Sequence, residues 1–188
     1  EAVAFARLDG GVGAPDVEII FSPVAFGADG PAAGFGFTVI PLQPESTGRV
    51  TLASADPTRA PLIDPRYLSA GGDLPTFVRA LRFSERLFDT DALKPLVREP
   101  LAPWPGKVDD DRLAQTVRDL ASTMFHPVGT CRLGDVVDPE LRVRGVDGLR
   151  VVDASVIPTL PRGHSHAVVA MLAERAVGFL RAQIREEM

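Results

Sequence analysis

Apolar and polar residues alternate in short bursts over the first third of the chain, switch to helical spacing in the middle, and break into glycine- and proline-rich turns before a last helix. Ala2 to Leu8, Asp16 to Pro23, Phe35 to Leu42 and Arg49 to Ala53 carry the β-branched and aromatic residues that strands favour, with Gly/Pro loops between them. An antiparallel sheet is the expectation. Residues 27–34, Gly-Ala-Asp-Gly-Pro-Ala-Ala-Gly, hold too many small residues for helix or strand and read as a mobile connector. Prolines at 57 and 65 press the residues before them into extended or turn backbone. From Asp73 the spacing becomes helical. Phe77, Leu81, Ser84 and Phe88 share one face, with Asp73 as the cap and Pro75 in the first turn, which predicts a helix to about Thr90. Asp109 to Met124 repeats the pattern, with an apolar stripe at Leu113, Val117, Leu120 and Met124 and three aspartates at the electropositive N-terminal end.

After Phe125 the texture tightens into Gly, Pro and Cys, followed by Leu141-Arg142-Val143, a turn at Gly145 to Gly148, and Leu149 to Asp153 as a short buried strand. The last helix is predicted from near His166 to about Arg185. Its first two turns, Ala167 to Ala173, are apolar all round and should be buried on every side, while the later part keeps a stripe at Val177, Leu180 and Ile184.

Composition narrows the function. In 188 residues, 45% hydrophobic and 24% charged, there is enough apolar material for a core in one or two domains. A net charge of -5 supplies no basic field to gather phosphates, which argues against nucleic acid, and no apolar run approaches a membrane span. The lone Cys131 forms no internal disulfide and packs as a small hydrophobe; a reducing, cytoplasmic compartment is the expectation. The chain starts with Glu and has no basic-then-apolar leader, which reads as a cut inside a longer protein.

All three histidines, His126, His164 and His166, fall in the last third beside glycine-containing turns. A loop histidine can be a hydrogen-bonded structural residue, a metal ligand or a proton-transfer group. The i, i+2 spacing of His164 and His166 does not stack them on one helical face, and no Cys or carboxylate pattern completes a metal set, so no metal is expected.

The run His126-Pro127-Val128-Gly129-Thr130-Cys131-Arg132-Leu133-Gly134, then Val137-Asp138-Pro139-Glu140-Leu141-Arg142-Val143, then Gly148-Leu149-Arg150-Val151-Val152-Asp153-Ala154-Ser155-Val156-Ile157-Pro158 resembles the C-terminal signature of glucose-methanol-choline (GMC) oxidoreductases. Ala173-Glu174-Arg175-Ala176 follows in the right order. Upstream, Gly48-Arg49-Val50-Thr51-Leu52 and Ile63-Asp64-Pro65-Arg66-Tyr67-Leu68 are similar to that family's substrate domain.

The resemblance implies an α+β fold. An antiparallel sheet with covering helices would make the substrate-binding domain over residues 1–125, and residues 126–188 would add the C-terminal strand and helix that complete the FAD-binding domain and the active site. It implies an FAD-dependent enzyme that oxidises a primary or secondary alcohol (choline-like, aliphatic or aryl) by hydride transfer to flavin. His126 would be the base for the substrate hydroxyl, a task for which a near-neutral imidazole is suited. Alignment on Ala173-Glu174-Arg175 puts His166 at the second active-site position and His164 at a flavin or supporting contact. Asp153 and Ala154 resemble the turn that closes over the FAD ribityl and pyrophosphate, with backbone N–H groups rather than the carboxylate doing the binding. Ala167 and Val168, at the positive end of the last helix, would face the flavin and favour the charge it gains on reduction.

Departures from the family pattern are Leu133 for Met, Val168 for Pro, and Arg162 just before the site, a cation that either draws an acidic substrate or pairs on the surface. No G-x-G-x-x-G occurs; Gly11-Val12-Gly13 begins like one, but Asp16 stands where the third glycine belongs. The main FAD cradle is therefore expected on an N-terminal portion, in the same or a second polypeptide, which with a small-molecule alcohol completes the set of partners. The alternative is a non-catalytic binding or assembly module without its cofactor domain.

Overall fold

Period-two alternation becomes a three-stranded antiparallel sheet in the computed structural model, which describes residues 2–27, 30–101, 104–186 and 188. The chain divides into two compact units, Glu1–Ser122 and Thr123–Met188.

In the first unit, β1 (Ala2–Ala6), β2 (Val17–Ser22) and β5 (Gly36–Pro41) pair in the order β1-β2-β5, with Ala4 opposite Ile19 and Ile19 opposite Val39. The β1–β2 connection is closed by Asp9, whose carboxylate accepts from Arg7 Nε at 2.9 Å and from the Gly11 amide at 2.9 Å. Gly11-Val12-Gly13 thus sits in an antiparallel hairpin, not in the strand-to-helix turn that a dinucleotide site requires.

Residues 27–34 depart from expectation. Ala25–Gly27 (β3) and Gly30–Ala32 (β4) form an antiparallel ladder where composition suggested a connector. Ladder bonds need only backbone, and Gly30 adopts φ +111°, a conformation glycine takes without strain. Ala28 and Asp29 lie outside the described residues.

Helix α1 (Asp73–Phe88) covers the sheet. Val17, Ile19 and Ala80 are its buried centre, with Phe37, Val39, Phe83 and Leu87 packed against them. Phe21, Phe35, Phe37 and Phe88 meet in tilted and edge-on pairs, the geometry that aromatic quadrupoles prefer. Asp73 does not cap its own helix. Gly72 holds the cap position, and the buried Asp73 carboxylate accepts from the Glu45 amide at 2.7 Å, the Ser46 amide at 3.0 Å and the Ser46 hydroxyl. It ties the segment after β5 to the helix start.

Helix α2 (Asp110–Leu120) is capped by Asp109, which accepts from the Arg112 amide at 2.8 Å. It stops four residues short of the predicted end because Ala121 turns to extended backbone. The stripe is cut accordingly: Leu113 and Val117 are buried, while Leu120 and Met124 are exposed. Arg82 joins the two helices, donating to Asp110 Oδ1, Glu85 Oε2 and the Val108 carbonyl.

β6 (Arg49–Thr51) and β7 (Leu62–Asp64) form a separate two-stranded ladder. Gly48 enters it so closely that a Cβ there would lie 2.3 Å from the Asp64 carbonyl oxygen and 2.6 Å from Pro65 Cα. Only glycine fits.

In the second unit the one long element is α3 (His166–Glu186). Val137, Leu141, Val156 and Ala176 form the core, with Cys131, Val143, Val151, Val152, Leu172 and Phe179 around it. The strand expected at Leu149–Asp153 is reduced to a single bridge, Arg142 with Arg150, because its neighbours offer only isolated partners. The burial of α3 also differs from expectation. Its inner face is Leu172, Ala176 and Phe179, whereas Ala167, Ala170, Met171, Val177, Leu180 and Ile184 are exposed. The helix is apolar on two sides, and the only described core of this unit covers one of them.

Two stability outcomes follow. Gly48→Ala forces backbone apart and is expected to cost about 1–3 kcal/mol, whereas Gly72→Ala meets only the Glu45 carboxylate, which can swing away, and costs less. Asp73→Ala strands the Glu45 and Ser46 amides and is expected to cost about 1–3 kcal/mol. Urea-unfolding midpoints of the three variants check both.

Candidate active site

The stretch from Thr123 to Gly134 is built from turns, and each has a local cause. The Phe125 amide donates to Thr123 Oγ1 at 2.9 Å, Phe125 takes a left-handed φ of +61°, and Pro127 disfavours helical backbone at His126. Gly129 and Gly134 supply further positive φ. The loop is then pinned to the short 3₁₀ turn Ala154–Val156: the Cys131 amide donates to the Ser155 carbonyl and the Leu133 amide to the Val156 carbonyl, both at 2.9 Å.

That turn is set in place by Asp153, whose carboxylate accepts from the Ser155 amide at 2.8 Å and the Ser155 hydroxyl at 2.5 Å. The carboxylate is thus directed into its own turn. A second aspartate braces the other side. Asp138 accepts from the amides of Glu140 and Arg142, each at 2.9 Å, and from Arg142 Nε at 2.8 Å. Leu141, buried with φ +64°, completes this turn.

The irregular segment Pro158 to Ser165 leads into α3. The Ser165 carbonyl accepts from the Val169 amide at 3.0 Å, which makes Ser165 the cap residue. Its hydroxyl is directed elsewhere: Ser165 Oγ lies 2.9 Å from His126 Nδ1, and Ser165 is only 6% exposed. On the other edge of the same ring, His126 Nε2 lies 2.9 Å from His164 Nδ1, with the two rings edge-on at 82° and 4.7 Å between centroids. His126 is half-buried and His164 exposed. Two neutral imidazoles can share such a contact only if one donates and the other accepts, so the state of each ring is tied to the other.

Of the residues singled out in the sequence, the structure brings His126 and His164 together and places His166 one residue beyond Ser165, as the first, exposed residue of α3. Ala167 is exposed and Val168 half-buried in the same turn. Asp153 and Ala154 belong to the turn that carries the His126 loop. Ser165 was missed. A serine before a helix announces a cap, but nothing in the pattern says that its hydroxyl turns to an imidazole 39 residues away. Among the described residues no group of three or more His, Cys, Asp or Glu side chains is placed to hold a metal ion, and no helix is long and apolar enough to cross a membrane.

With this geometry in view, a family profile described as GMC oxidoreductase matches residues 44–173. The chain belongs to the GMC oxidoreductase family. It is similar to an uncharacterized GMC-type oxidoreductase of Mycobacterium bovis, 41% identical over 193 residues covering 97% of this chain and 37% of that protein. It is also similar to an oxygen-dependent choline dehydrogenase of Brucella melitensis, 37% identical over 190 residues, 96% of this chain and 35% of that one. Among solved structures it matches the Aspergillus oryzae RIB40 formate oxidase, in which FAD is subject to modification, with TM-score 0.82, 31% identity, 93% of this chain and 33% of that one. The chain therefore spans about a third of the length of these relatives, and its α+β architecture is that of the GMC C-terminal region.

The Asp138 brace yields a pH-dependence. The Arg142 guanidinium, helped by the Arg142 and Glu140 amides and opposed by partial desolvation, holds the Asp138 carboxyl below the ordinary carboxylate range. A depressed folded value stabilises the fold above the unfolded value and is lost as pH falls through the folded one. Asp138→Asn is therefore expected to lower the unfolding midpoint at about pH 7, with the difference from the parent shrinking as pH falls through the depressed folded value of Asp138, as paired thermal melts will show.

Proposed function

We propose that this chain is the substrate-facing and histidine-bearing part of an FAD-dependent oxidoreductase that oxidises a primary or secondary alcohol, choline-like, aliphatic or aryl. The observation that carries the reading is the His126–His164 pair, two imidazoles in hydrogen-bond contact at the start of an uncovered apolar helix. In this reading residues 1–125 contribute substrate-binding surface and residues 126–188 complete the flavin domain. The main FAD cradle lies on an N-terminal portion outside these 188 residues, as the missing Gly-rich turn and the twofold to threefold greater length of the relatives suggest.

The residues present suit a flavin. The small and apolar Ala167, Ala170 and Met171 are exposed, a surface on which a flat aromatic ring system can lie. The first N–H groups of α3 have no acceptor within the helix and point out of its N-terminal end, where they favour negative charge. The Asp153 carboxylate is turned onto the Ser155 amide and hydroxyl of its own turn. When bound, FAD supplies the hydride acceptor.

The protein's own task is the proton. A substrate hydroxyl that inserts between the two rings displaces His164 from His126 Nε2, which takes the hydroxyl proton as the carbinol hydride departs. His164 Nδ1 then holds the substrate oxygen. We assign this role to His164, in contact with His126, rather than to His166, which the family alignment puts at the second active-site position and which begins the helix beyond Ser165.

The test uses the full polypeptide of the encoding gene, purified with its flavin and offered an alcohol panel. His126→Ala is expected to lower kcat/KM by about 10²–10⁴-fold, His164→Ala by a comparable factor, and His166→Ala by much less. Equal loss at His164 and His166 would restore the original assignment. A flavin-loaded protein reduced by no alcohol would leave the binding-module reading in its place.

A further inference from the structure

The hydroxyl of Ser165 stands outside every role assigned so far. It is buried, it belongs to the residue that caps α3, and its observed partner is the imidazole of His126 at 2.9 Å. A cap serine ordinarily accepts from an amide in the first helical turn. Here the hydroxyl is committed to a ring nitrogen instead. The opposite nitrogen of that ring meets His164, the residue immediately before Ser165. Two consecutive residues therefore hold both nitrogens of His126, one from the buried side and one from the exposed side.

We propose that Ser165 is the positioning residue of His126: its hydroxyl anchors Nδ1, fixes the plane of the ring and leaves Nε2 as the nitrogen that works on the substrate oxygen. This rests on the reading of His126 given above. For Nε2 to accept the substrate proton the neutral ring must carry its own proton on Nδ1, and that proton stays when Nε2 is protonated. The Ser165 oxygen accepts from it in both states, so the ring does not have to swing between steps. Without the hydroxyl the ring keeps its contact with His164 and loses the acceptor that favours the Nδ1-protonated tautomer. A misplacement of about 1 Å in such a group costs on the order of 10²-fold in rate.

The test compares Ser165→Thr with Ser165→Val in the flavin-loaded full polypeptide. The two side chains have the same shape and differ in the hydroxyl, so any strain from the added methyl is common to both. Thr is expected to keep kcat near the parent value, and Val to lower kcat by about 10–100-fold with KM within about threefold, because substrate binding is not what the hydroxyl supports. A second readout does not depend on turnover. In protein labelled with ¹⁵N-histidine, Nδ1 of His126 should show one protonated, hydrogen-bonded environment in the parent and in Ser165→Thr, and a shift towards the tautomer-averaged value in Ser165→Val. Identical ring shifts and identical kcat in the two variants overturn the assignment. If His126→Ala proves fully active, the alcohol-oxidising reading fails instead, and the ring spectra still decide whether Ser165 anchors His126.

Discussion

The bond between a buried hydroxyl and a half-buried imidazole, Ser165 to His126, joins two stretches of chain that are otherwise irregular. Neither stretch has a helix or a strand to hold it. The loop after Thr123 is shaped by proline, by glycines with positive φ and by the left-handed Phe125, and the segment before α3 by Pro161 and Gly163. Such backbone has many states of similar energy, and a few hydrogen bonds to buried partners select among them. The Asp153 turn fixes the carbonyls that hold the loop, Asp138 fixes the neighbouring turn, and α3 brings Ser165 to the ring. Remove that last bond and His126 is attached by its backbone alone on the side away from His164.

Much of this was legible in the sequence, and the reasons differ by element. The strands at Ala2, Val17 and Gly36 and the helices at Asp73, Asp110 and His166 begin within two residues of where alternation, spacing and capping chemistry place them. The turn motifs around His126, Asp138 and Asp153 were readable as family signatures before any geometry was known. Their internal logic was not readable. Carboxylates that accept several amide hydrogens look, in sequence, like any other aspartates beside a glycine or proline.

The errors share one cause, which is that local pattern does not report what lies across a surface. Asp73 sits where a cap belongs and instead bonds Glu45 and Ser46, 28 and 27 positions earlier. Which of His164 and His166 lies against His126 is likewise invisible in their spacing: His164 makes the contact and His166 begins α3. In α3 itself both long faces are apolar, so periodicity could name two stripes and had no means to choose. The core of Val137, Leu141 and Val156 chose the stripe at Leu172, Ala176 and Phe179.

The rejected stripe has a colloidal consequence. Val177 at 41%, Leu180 at 45% and Ile184 at 56% exposure leave a greasy ridge in water, and at neutral pH the net charge of -5 keeps like molecules apart. Near the isoelectric point of about 5.2 that repulsion vanishes while the ridge remains. Mild acid is where solutions of this chain on its own would first turn cloudy, and moderate alkalinity is where they would stay clear.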